Sequence, residues 1–153
     1  MSLRTAFVVF AILLLAACAG SGPPKRIHPP GASIQEITVQ ADGSWRVLLR
    51  VHSFSTVATR FQNIALDLAL DGASAGRLSY DDARDVPGQS AEIFRLRLVP
   101  AAEAVDALAA FKASGRRSLA WTLHGGITVD GRTYRNEYAG RLSPAPGLTD
   151  TYR

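Results

Sequence analysis

Apolar and polar residues alternate with a period of two through most of the chain, and that period admits few folds. Trp45, Val47, Leu49 and Val51 interleave with Arg46, Leu48, Arg50 and His52. Ile64, Leu66, Leu68 and Leu70 interleave with Ala65, Asp67, Ala69 and Asp71. The same holds for Phe94, Leu96 and Leu98 between Ile93, Arg95 and Arg97, and for Leu119, Trp121 and Leu123 between Ala120, Thr122 and His124. Successive strand side chains point to opposite faces, so each run is a strand with one buried face. Turn chemistry falls between the runs at Asp42-Gly43, Asp71-Gly72 and Asp130-Gly131, because aspartate followed by glycine tolerates the positive φ of tight hairpins.

Seven strands are predicted, at 34–41, 44–53, 61–71, 74–80, 90–99, 117–129 and 132–142. Seven antiparallel strands in a domain of this size predict a mainly β protein, a two-layer sandwich of immunoglobulin-like or fibronectin type III-like architecture. One segment breaks the period. Residues 100–114 open on Pro100, carry Glu103 and Asp106 early and Lys112 late, space Ala104, Leu108 and Phe111 at i, i+4 and i+7, and stop at Gly115. Proline entry, charges matched to the helix dipole and glycine exit predict a short α-helix. It is expected to cap an edge or end of the sandwich through Leu108 and Phe111, since a short helix is marginal alone.

The N-terminus has a different character. Arg4 precedes an apolar run from Ala6 to Ala17, the pattern of a signal peptide. As a helix this run rises only about 18 Å at 1.5 Å per residue, short of a hydrocarbon core of about 30 Å. It ends Leu15-Ala16-Ala17-Cys18, which resembles the lipobox of bacterial lipoproteins. That resemblance implies cleavage between Ala17 and Cys18, diacylglycerol on the Cys18 thiol, and an acyl chain such as palmitate on the new amine. Ala19 follows, and in Gram-negative cells a residue other than Asp there implies transfer to the periplasmic face of the outer membrane. Several acyl chains make attachment effectively permanent, where one is only marginal. Cys18 is also the sole cysteine of the chain, so acylation would leave no thiol and no disulfide in the mature domain.

The expected organisation is a signal peptide over 1–17, a lipidated cysteine and flexible linker over 18–33, a sandwich over 34–143 and a tail over 144–153. Between Ala19 and Ser33 lie four of the eight prolines. Extended at about 3.1 Å per residue, that linker would hold the domain up to roughly 45 Å from its anchor. The formal charge of the whole chain is +4. Lys and Arg are interspersed with Asp and Glu along the sequence, and pairs such as Lys25-Arg26 and Arg116-Arg117 are expected to be solvated rather than a nucleic-acid footprint.

The order of elements resembles the group 2 late embryogenesis abundant proteins, the water stress and hypersensitive response (WHy) domain. The matching features are the strand Trp45–His52, the run Phe61-Gln-Asn-Ile-Ala-Leu-Asp-Leu-Ala-Leu-Asp-Gly72, Gly76, the turn Pro87-Gly88-Gln89-Ser90, the helix, and a last strand pair ending at Gly140. Where that family carries an asparagine-rich turn after its second strand, this chain has His52-Ser53-Phe54-Ser55. The resemblance covers about residues 33–143 and implies a structured, non-enzymatic domain linked to desiccation and water stress, protective or binding in role. A structural or assembly lipoprotein that holds an envelope protein partner is the alternative.

Residues that could carry chemistry are sparse. His28 lies in the linker, and His52 and His124 lie on the polar faces of separate strands without ligands at metal spacing. Asp81-Asp82-Ala83-Arg84-Asp85 lacks the spaced oxygens and glycine of a calcium loop, and no Gly-x-Ser-x-Gly elbow is present. In the last strand, Arg135, Glu137, Ala139 and Arg141 are expected outward and Tyr134 and Tyr138 inward. No catalytic role, metal or cofactor is expected, and membrane lipid through Cys18 is the one partner the sequence names.

Overall fold

A computed structural model describes residues 24–153; Ala17 and Cys18 lie outside them. Among the described residues nine strands and one helix follow in the order β1 (Gly31–Val39), β2 (Trp45–Ser53), β3 (Thr59–Leu70), β4 (Ala73–Tyr80), β5 (Arg84–Val86), β6 (Ser90–Leu98), α1 (Ala102–Ala113), β7 (Leu119–Val129), β8 (Arg132–Leu142) and β9 (Thr151–Tyr152). All strand pairs are antiparallel. They form a smaller sheet, β6-β2-β1-β9, and a larger one, β4-β3-β7-β8, with β5 paired to the start of β3. The seven long strands are those the alternation predicts, the helix falls where the period breaks, and the fold is an antiparallel β-sandwich. The fourth strand lies beside the third, whereas in a constant immunoglobulin domain it would join the other sheet.

The alternating apolar residues fill the space between the sheets. Val47, Leu49 and Val51 from one sheet, and Ile64, Leu66, Leu70 and Leu123 from the other, have no exposed surface. Each such side chain contributes about 1.5–3 kcal/mol relative to an exposed one. Strict alternation fails at three bulges, and each serves the core; opposite Leu68 and Ala69 the extra residue of β4 lets Ala75 and Leu78 both face inward. In β1 the register shifts between Ile34 and Glu36, so Ile34 and Ile37 both face inward. In β3 it shifts between Phe61 and Asn63, which keeps Phe61 and Ile64 on the same buried face.

Helix α1 buries Ala104, Leu108 and Phe111 against β4 and β3. Phe111 also meets Tyr152 edge-on, with ring centroids 6.1 Å apart, so the helix bridges the two sheets. No described helix is long and apolar enough to cross a membrane.

Both ends of the domain extend past the expected boundaries. Residues 24–30 were expected within a free linker, yet Thr56 donates its amide to the Arg26 carbonyl at 2.9 Å and its hydroxyl to the Pro24 carbonyl at 2.8 Å. The amides of Arg26 and His28 donate to the Thr56 and Ser55 hydroxyls, and Tyr138 donates to the Pro30 carbonyl at 3.0 Å. Proline lacks a donor but keeps a carbonyl acceptor, so Pro24 and Pro30 join these contacts through their carbonyls alone. Residues 144–153, expected as a tail, turn back so that Thr151–Tyr152 pair with Thr38 and Ile37 of β1.

Candidate functional site

Charges interspersed in the sequence are sorted by strand pairing. Register between β2 and β6 sets Arg46 opposite Arg97, Leu48 opposite Arg95, and Arg50 opposite Ile93. Directly opposed residues lie about 5 Å apart at Cβ, so four arginines share the outer face of the smaller sheet, with half-buried Leu48 and Ile93 among them. Asp42 takes Arg97 at 2.6 Å. Glu36 takes Arg153 at 2.8 Å and Arg46 at 3.6 Å. Among the described residues Arg50 and Arg95 have no ion-pair partner. An open depression of about 530 Å³ runs between the β1–β2 turn and β6, floored by Arg46, Arg95 and Arg97.

The same face ends in an aromatic residue. Phe54 stacks on His52 with centroids 5.9 Å apart, its ring lies over Gly31, and it remains 55% exposed. The segment hydrogen-bonded alongside residues 55–56 presents Lys25, Arg26 and Ile27, the last 49% exposed. The chain therefore leaves the domain toward Cys18 from the Phe54 end of the arginine face.

The outer face of the larger sheet mixes its charges. Arg77, Asp67, His124 and Glu137 stand in one cross-strand row, and Arg135 and Arg141 flank Glu137 along β8. Arg77 binds Asp67 through two hydrogen bonds of 2.8 and 2.9 Å, which hold the Asp67 carboxyl below its ordinary range. Asp81 and Asp82 are exposed, Asp85 pairs with Arg60, and Arg84 closes the sandwich edge on Glu92 at 2.7 Å while covering Phe94. The histidines are not brought together: His28 is exposed, His52 lies beside Phe54, and His124 is on the other sheet. Among the described residues no three His, Cys, Asp or Glu side chains are placed to hold a metal. Tyr134 and Tyr138 are half-buried against the core, and Arg135, Glu137, Ala139 and Arg141 point outward as their parity predicts. Burial pushes the Tyr138 phenol up.

Among the described residues, Glu36 is the one buried carboxylate of the arginine face. The hydrogen bond from Arg153 holds its carboxyl below the ordinary 4.5, against desolvation. A depressed folded value means the stabilisation is fully present above the unfolded value and is lost as pH falls through the folded one. Thermal melts from pH 6 to pH 3 are expected to show a fall below about 4.5, and Arg153→Ala is expected to flatten it. An identical acid limb in that variant would remove Glu36 as its source.

Sequence reasoning missed this face because it read each strand singly. Arg46, Arg50, Arg95 and Arg97 were each legible as outward; their adjacency depends on which strands pair.

No family model matches the chain, and no curated protein matches it. Among solved structures, a protein from Arabidopsis thaliana determined in solution is similar at a TM-score of 0.52 and 11% identity, over 85% of this chain and 89% of that one. A protein from Archaeoglobus fulgidus in a crystal structure is similar at 0.47 and 12%, over 80% of this chain and 99% of that one. At such identity the Arabidopsis protein shares the fold alone.

Proposed function

We propose that this chain is a lipid-anchored, non-enzymatic lipoprotein of the bacterial envelope, held through acylated Cys18 at the periplasmic face of the outer membrane. In this reading the sandwich serves a binding or protective role of the water-stress type that the WHy resemblance implies. The observation that carries it is the short distance between lipobox and domain. Only residues 19–23 separate Cys18 from the hydrogen-bonded segment that starts at Pro24, a span of about 20 Å at full extension, so the anchor would hold the folded domain against the membrane surface. A mainly β sandwich with one helix between its fifth and sixth long strands supports the resemblance.

A second reading, an assembly lipoprotein holding a protein partner, is favoured by β8. Among the described residues no strand pairs with its outer edge, and an open edge can accept an added strand.

In a Gram-negative host, the wild-type chain is expected to float with membranes and to carry the mass of a diacylglycerol and a further acyl group on its N-terminal peptide. Cys18→Ala should lose both. A Cys18→Ala protein that still floats and still carries lipid mass would overturn the anchor. Desiccation sensitivity on deletion, without a stable crosslinked partner, separates the protective role from the assembly role.

A further inference from the structure

We infer that the outer face of the smaller sheet is a membrane-docking surface, laid on an anionic lipid bilayer by Arg46, Arg50, Arg95, Arg97, Lys25 and Arg26, with Phe54 and Ile27 seated at the interface. This deepens the proposed anchoring and rests on it for its physiological setting. Three observations choose lipid as the occupant. The arginines are concentrated: among the described residues Arg46, Arg50, Arg95 and Arg97 crowd onto two paired strands with Arg50 and Arg95 outside any ion pair, whereas on the opposite face Asp67 takes Arg77 and the two unpaired arginines, Arg135 and Arg141, stand apart on either side of Glu137 on a single strand. Phe54 and Ile27 stand about half exposed where the chain departs toward Cys18, so apolar surface and charge meet at the point nearest the anchor. The tether reaches only about 20 Å, so the bilayer is the anionic surface always within reach, at an effective concentration that makes weak contacts count.

Each group suits that task. Arginine stems cover Leu48 and Ile93 while their guanidinium groups meet phosphates. A phenylalanine at headgroup depth adds apolar burial to the charge attraction. Docked this way, the domain turns the outer face of the larger sheet away from the lipid plane.

The test uses residues 18–153 with Cys18 coupled chemically to a maleimide lipid, so it does not depend on lipidation in the cell. Phe54→Trp places a reporter on the docking face and Thr122→Trp places one on the opposite face; native Trp45 and Trp121 are buried. In vesicles of phosphatidylcholine with a third phosphatidylglycerol, brominated lipid is expected to quench the Phe54→Trp reporter strongly and the Thr122→Trp reporter little, and 0.5 M salt should relieve the quenching. For the uncoupled, thiol-capped chain, Arg50→Gln with Arg95→Gln should weaken vesicle partitioning roughly 30-fold, since each basic residue near such a surface contributes about a fivefold factor. Both substitutions are at exposed positions, and an unchanged thermal melt will show the fold intact. Equal quenching at the two positions, or quenching indifferent to phosphatidylglycerol and salt, would overturn the docking surface. That outcome would leave the Cys18→Ala experiment untouched, whereas failure of lipidation in the cell would leave this face intact.

Discussion

Gly125→Ala is expected to destabilise the domain by about 3–5 kcal/mol, combining backbone strain with overpacking. Gly125 lies in the middle of β7 with φ 151, a conformation that side-chain-bearing residues rarely adopt. A Cβ added there would stand 2.2 Å from the Ala65 carbonyl oxygen and 3.1 Å from the Leu66 Cα. Both neighbours are backbone of β3, the strand that holds β4, β5 and β7 together, so relief requires the central pairing of the larger sheet to open. Against a total stability of about 5–15 kcal/mol for a typical domain, the loss should lower the melting temperature by on the order of 10 °C or more. Gly131→Ala is the control. It has φ 78 with nothing within 4 Å of the added carbon, so it meets only the left-handed backbone penalty of about 1–2 kcal/mol. Equal melts for the two variants would mean that the approach of β7 to β3 is not close.

That contrast shows where the sequence is legible. The strands were readable because the driving force behind them is local in pattern: every second residue must leave water, and Trp45 to Val51 or Ile64 to Leu70 declare this without reference to any other segment. The hairpins were readable for the same reason, since Asp71-Gly72 and Asp130-Gly131 carry the positive φ angles that their turns require. Gly125-Gly126 reads as a weak spot in a strand until the Ala65 carbonyl is placed against it. The arginine face is of this second kind, because outwardness belongs to one strand and clustering to two. Bulges lie between these cases: Gln35 and Gln62-Asn63 look like phase errors until Ile34 and Phe61 are seen on the buried side.

The C-terminal segment is the furthest from legibility, and its removal carries the other large effect. Residues 144–153 contain two prolines, a glycine and few apolar side chains, which is the composition of a tail. Their attachment comes from single residues reaching distant partners. Tyr152 is 4% exposed, pairs with Ile37 and abuts Phe111. Asp150 receives Lys112 at 2.5 Å and the Val39 amide. Arg153 satisfies Glu36, whose side chain is 8% exposed. Deleting 144–153 therefore uncovers Phe111, opens the β1 edge and leaves a buried carboxylate with only Arg46 and Thr38 nearby.

Loss of a buried aromatic residue alone costs about 3–5 kcal/mol, and a buried charge stripped of its hydrogen-bonded partner adds about 1–3 kcal/mol. The truncated chain is thus expected to lose more than about 4 kcal/mol in urea titrations, with α1 amides exchanging faster than those of β3 and β7. Tyr152→Ala should reproduce most of the loss, whereas Arg153→Ala should lose only about 1–3 kcal/mol at neutral pH and little below the Glu36 titration, which flattens the acid limb. A truncated chain that melts with the full one would show that Tyr152 and Arg153 decorate a sandwich already complete at Leu142. Helix α1 would then be held by β4 and β3 alone, and the contact between Phe111 and Tyr152 would contribute little to closing the two sheets.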